Sequence, residues 1–140
     1  MVLQEWQVCA LASAFFAGLT AILAKVGVKD IDSNLATAIR TVVILVFAWG
    51  IVAAQGSYRA LPTLNGRTLL FLILSSLATG ASWLFYFHAL KVGPASRVAP
   101  LDKLSVPFAV LLAALVLHEA LTWKVAAGVA LIVGGALLLI

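Results

Sequence analysis

Charge is scarce in this sequence. Asp, Glu, Lys and Arg together make up 10% of its 140 residues, where a soluble domain carries about 25%. Such a chain cannot coat a water-facing surface, which excludes a soluble enzyme, a nucleic-acid module and a disordered segment. Cysteine is almost missing too: Cys9 stands alone, so no internal disulfide is available. The two histidines, His88 and His118, lie far from it and from each other. No metal-ligand spacing results, and neither a metal nor a cofactor is expected. No Ser/His/Asp set lies at matching depth, so no enzyme is expected either. The first residues lack the basic stretch of a signal peptide, and the first apolar run is read as a retained helix.

What the sequence has in abundance is apolar length. Hydrophobic residues make up 64%, and the mean hydropathy is +1.17. A bilayer core about 30 Å thick takes about 20 apolar residues per helix. Charge-free runs bounded by turn residues predict five spans, at about 6–28, 34–54, 68–90, 97–117 and 123–140. Ser33 and Ser96 are the expected N-caps of the second and fourth. The runs are continuous, not alternating, which excludes barrel strands. The expectation is an all-α integral membrane protein in a single domain covering 1–140, multi-pass in a cell (inner) membrane. Trp6 and Trp123 stand at span ends, as interfacial aromatics do.

The net charge of +4 does not indicate nucleic acid here, because the basic residues cluster at span ends. Five spans put the two chain ends on opposite sides. Arg59, Arg67 and Lys124 fall on the side of the N-terminus. Lys25, Lys29, Lys91 and Arg97 fall on the other, with Arg40 and Lys103 deeper on that side. Basic residues mark the cytoplasmic face. Four against three, or six against three with the deep pair, favours an outside N-terminus weakly enough to leave dual insertion open.

Charges inside spans default to functional hypotheses. Arg40 lies seven residues past Ser33, and Asp102 and Lys103 lie six and seven past Ser96. At about 1.5 Å per residue these sit roughly 10 Å deep, entering from the same side. They form an expected embedded charge cluster with an Arg40–Asp102 pair, either a structural ion pair or the border of a solute cavity. Pro100 and Pro107 fall inside the fourth span and are expected to kink it, as discontinuous helices do beside transporter sites.

The third span carries a polar stripe. Ser75, Thr79, Ser82 and Tyr86 are spaced four, three and four, which is one helix face, and Trp83 flanks it. The stripe is either a wetted solute cavity or a seam between helices, since small hydroxyl residues permit close approach. In the first span Ala10, Ala14 and Gly18 read as packing. In the fifth, Gly128, Leu131 and Gly135 read as a close-approach face for a second chain.

The run Gly93-Pro94-Ala95-Ser96-Arg97-Val98-Ala99-Pro100-Leu101-Asp102-Lys103-Leu104-Ser105, then Leu117-His118-Glu119, then Gly128 to Gly135, resembles the second half of an EamA domain of the drug/metabolite transporter superfamily. The resemblance extends more loosely over the first three helices, including Arg40. It implies one five-helix EamA-type repeat, where most relatives have two inverted repeats. It implies transport of a small metabolite or drug-like solute, usually export, by alternating access. The partners implied are the solute, the bilayer and a second copy or paired half-transporter, with parallel and antiparallel homodimers both open. Two departures stand out: glycine is usual where His118 stands, and no embedded glutamate for proton coupling lies in the first helix. The alternatives are a non-transporting accessory or assembly subunit, and a flippase for a lipid-linked head group.

Overall fold

The computed structural model describes residues 4–139. They form α1 (Glu5–Gly27), α2 (Ser33–Gln55), a 3-10 turn over Ser57–Thr63, α3 (Gly66–Val92), α4 (Ala95–Asp102), α5 (Ser105–Val116) and α6 (Trp123–Leu137). No strand occurs among the described residues. Among the described residues four stretches are long and apolar enough to cross a membrane: α1, α2, α3, and α4 with α5 taken together over Ala95–Val116. The helix α6 has 15 residues, roughly 22 Å of helix, and is the shorter member. The protein is an all-α, multi-pass membrane protein.

The helix ends follow from side chains beside them. Asp32, not Ser33, caps α2: its Oδ1 accepts from the Asn34 N–H at 2.9 Å and the Leu35 N–H at 3.1 Å. Ser33 is instead a buried helical residue whose carbonyl accepts from Thr37 Oγ1 at 2.9 Å. Gly56 ends α2 at φ 70°, a backbone that glycine adopts without strain. Asn65 Oδ1 accepts from Thr68 N–H at 2.7 Å at the head of α3. Pro94, not Ser96, caps α4, its carbonyl taking the N–H groups of Arg97 and Val98, each at 3.0 Å. Thr122 caps α6 through Val125 N–H at 3.3 Å.

The expected span at 97–117 is two helices. Pro107 has no N–H to offer the carbonyl four residues back, that of Lys103. Val106 N–H takes that carbonyl at 3.0 Å, and Lys103 and Leu104 donate to Pro100 and Leu101, each at 3.0 Å. These three i to i+3 bonds tighten the chain locally and interrupt the α-helix at Lys103–Leu104. Pro100 itself stays inside α4.

The chain divides into two compact units. One spans Ala24–Lys91 and holds the end of α1, α2, the 3-10 turn and most of α3. Its small buried core is Val28, Phe87 and Leu90, with Ala24, Ala36, Ser33 and Thr37 around them. Two lysines close it. Lys25 Nζ donates to the Leu90 carbonyl at 2.6 Å and the Lys91 carbonyl at 3.4 Å, and Lys91 Nζ donates to the Ile31 carbonyl at 2.8 Å. The last carbonyls of α3 have no partner within their own helix, and the lysine ammonium meets them.

The other unit joins the chain up to Leu23 with Val92 onward. In it α6 packs on α4 and α5, with Ala136 buried. His118 follows α5 with φ 55°, and Glu119 N–H reaches back to the Ala113 carbonyl at 3.2 Å. This is a helix stop that normally uses glycine. A side chain in that left-handed region costs about 1 kcal/mol. His118→Gly should therefore raise stability by about that amount, seen as a higher unfolding temperature in detergent. An unchanged or lower temperature would show that the imidazole earns its strained backbone through contacts of its own.

Candidate functional site

Within the Ala24–Lys91 unit, α2 and α3 enclose an open groove of about 360 Å³, within the usual range for small-molecule sites. The α2 wall is Thr41, Ile44, Leu45 and Ala48. The α3 wall is Ser75, Ser76, Thr79, Gly80 and Trp83. Spacings of three and four on each helix put these residues on facing sides.

The lining is apolar with a row of hydroxyls, Thr41, Ser75, Ser76 and Thr79, and three of the four are already committed. Thr41 Oγ1 donates to the Thr37 carbonyl at 2.8 Å, Ser76 Oγ to Leu72 at 2.8 Å, and Thr79 Oγ1 to Ser75 at 3.0 Å. Each proton is tied to its own helix, so these oxygens meet the groove as acceptors. Among the described residues no charged side chain lines the groove.

The charge lies next to it. Arg40 precedes Thr41, and its guanidinium stands 4.2 Å from the Phe87 ring centroid and 5.7 Å from that of Trp83. Trp83 thus belongs to the groove wall and to the arginine's surroundings. Arg40 Nη1 is buried and has no hydrogen-bond partner among the described residues.

Of the sequence-predicted cavity residues, Ser75, Thr79 and Trp83 line the groove. Ser82 is exposed, and Tyr86, half-buried, sets its ring edge-on to Phe87 at 5.7 Å; neither is in the lining. Thr41, Ile44, Leu45, Ala48, Ser76 and Gly80 were not anticipated. The pair Thr37 and Thr41, four apart on an apolar helix, was the available signal for α2.

In the other unit, Asp102 lies with a carboxylate oxygen 3.4 Å from Lys103 Nζ. Pro107 lines an apolar cleft of about 340 Å³ between α5 and α6. Gly128 and Gly135 are exposed, a side chain at either would meet open space, and Leu131 is 78% exposed. No group of three or more potential metal-ligating side chains occurs among the described residues.

The EamA-like transporter family matches residues 4–140. A protein described as an uncharacterized transporter in the cobO 3′ region, from Sinorhizobium sp, is 57% identical over 136 residues, covering 97% of this chain and 96% of its own. No solved structure matches the chain.

Proposed function

Since the chain belongs to the EamA-like transporter family, and is therefore a membrane transporter for a small solute, we propose that it exports that solute across the inner membrane by alternating access, as one half of a dimer. The observation that carries this reading is the groove between α2 and α3: small-molecule sized, walled by apolar side chains, and lined by hydroxyls that add acceptors without adding charge. A carrier of this type closes around a central site built from two repeats, and the chain has the length of one repeat. Gly128, Leu131 and Gly135 of α6 support the pairing, because small residues with open space before them permit close helix approach.

Proteoliposomes holding the pure protein, preloaded with members of a panel of cationic, neutral and anionic metabolites, should show counterflow of a labelled solute for at least one member. Protein-free vesicles should show none. A folded protein that gives no counterflow across the panel would be an accessory subunit instead.

A further inference from the structure

We propose that Arg40 anchors the anionic head of the solute, so that the groove selects an amphipathic organic anion over a neutral or cationic molecule of the same shape. This rests on the groove being the solute site.

An arginine presents two chemistries at right angles. Its face stacks on aromatic rings, while its five N–H groups point outward in the guanidinium plane. The Phe87 and Trp83 ring centroids stand 4.2 and 5.7 Å from the guanidinium carbon, and Nη1 is buried with no partner among the described residues. A buried donor left unmet is costly, and a cation within a span calls for an anion.

The surroundings offer Arg40 little of that kind. Asp30 and Asp32 are the acids of the Ala24–Lys91 unit, against six basic residues, Lys25, Lys29, Arg40, Arg59, Arg67 and Lys91. Both acids precede α2, and Asp32 is engaged in capping it. The hydroxyls of Thr41, Ser76 and Thr79 give their protons to backbone carbonyls. Lone pairs facing a carboxylate repel it, so these three oxygens do not hold an anionic head; Ser75 also lines the groove and can donate one neutral O–H, whereas Arg40 brings a positive charge with its N–H groups. The head then sits at the Trp83 end, and the apolar body lies along Ile44, Leu45 and Ala48.

Trp83 can report on this directly once Trp6, Trp49 and Trp123 are changed to phenylalanine. The probes are 2-bromohexanoate, 2-bromohexanol and 2-bromohexylamine, whose bromine lies beside the head group and quenches an indole in contact with it. In nanodiscs of phosphatidylcholine, the carboxylate should half-quench Trp83 at a concentration at least about tenfold below that of the alcohol, with the amine weakest. Arg40→Gln should bring the carboxylate-to-alcohol ratio to about one. If Arg40→Gln does not fold, Arg40→Lys serves: it keeps the charge, loses the planar edge, and should lower the preference several-fold. Phosphatidylglycerol nanodiscs separate the two sources of an anion. An Arg40-dependent rise of about tenfold in the carboxylate concentration needed there assigns the anchor to a lipid head group, and no rise assigns it to a free solute. Equal quenching by carboxylate and alcohol in the parent protein overturns the anion anchor and leaves the groove standing. Absence of quenching by any probe overturns the groove as well.

Discussion

Gly80→Phe should abolish transport while leaving the protein folded. Gly80 lies in the α3 wall of the groove, and a side chain begun there meets nothing within 4 Å. A phenyl ring at that point therefore enters the groove without displacing a packed neighbour. The folded state loses little, and the solute loses its volume. Counterflow should fall at least about tenfold, the equivalent of about 1.4 kcal/mol of lost binding, with the unfolding temperature within a degree or two of the parent. Gly50→Phe is the matched control. Gly50 has equally open space, on α2, and is not in the groove lining. Its ring should enter lipid and leave counterflow intact. Equal loss in the two variants would mean that bulk anywhere on this helix pair impairs the protein, and the groove would lose its special standing. Normal counterflow in Gly80→Phe would move the solute path elsewhere.

The third helix shows how far periodicity reaches. Ser75, Thr79, Ser82 and Tyr86 do share one face, because eleven residues return almost to the start of a turn. Yet the groove faces α2 through Ser75, Ser76, Thr79, Gly80 and Trp83, a face about 60° further round the helix. Spacing reveals which residues stand together, but the direction in which a neighbouring helix lies depends on packing between segments distant in sequence. For the same reason α2 gave little away. Its wall is Thr41 among aliphatic residues, and an aliphatic groove wall reads like a lipid-facing one.

The charges followed similar logic. Arg40 was visible as a cation in a span, but its two ring partners lie more than forty residues away, and nothing local pairs them. Trp83 and Phe87, four apart, held the one hint that two aromatic faces point the same way. Counting inward from two helix starts suggested Asp102 as its counter-ion. That count carried a small error, since α2 is capped one residue earlier than Ser33 and α4 starts at Ala95. In the fourth span Pro107 was legible as a kink, but the break falls at Lys103–Leu104. A proline injures the helix at the carbonyl four residues before it, not at its own position.

Phe87→Ala should be the most destabilising single truncation in the α2–α3 region. Phe87 is 2% exposed and, with Leu90 and Val28, among the largest fully buried side chains. In a soluble core, Phe→Ala costs about 3–5 kcal/mol. Within a bilayer the transfer part shrinks, because lipid tails are as apolar as the site. What remains is lost packing, together with the ring 4.2 Å from the Arg40 guanidinium, a contact worth about 0.5 kcal/mol where exposed and about 2 kcal/mol where desolvated. The two together predict about 2–3 kcal/mol in SDS-driven unfolding. Phe85, 79% exposed two residues earlier, supplies the contrast: Phe85→Ala should change stability by less than about 0.5 kcal/mol. Two further variants divide the Phe87 effect. Phe87→Leu keeps most of the volume and loses the aromatic face, so it should fall between parent and alanine. Phe87→Trp keeps the face and adds volume, and should restore Arg40's ring at some packing strain. If leucine and tryptophan unfold alike, and both near the parent, the ring serves as filler and the guanidinium keeps its place without it. If leucine falls well below tryptophan, the aromatic face itself stabilises the charge within the span.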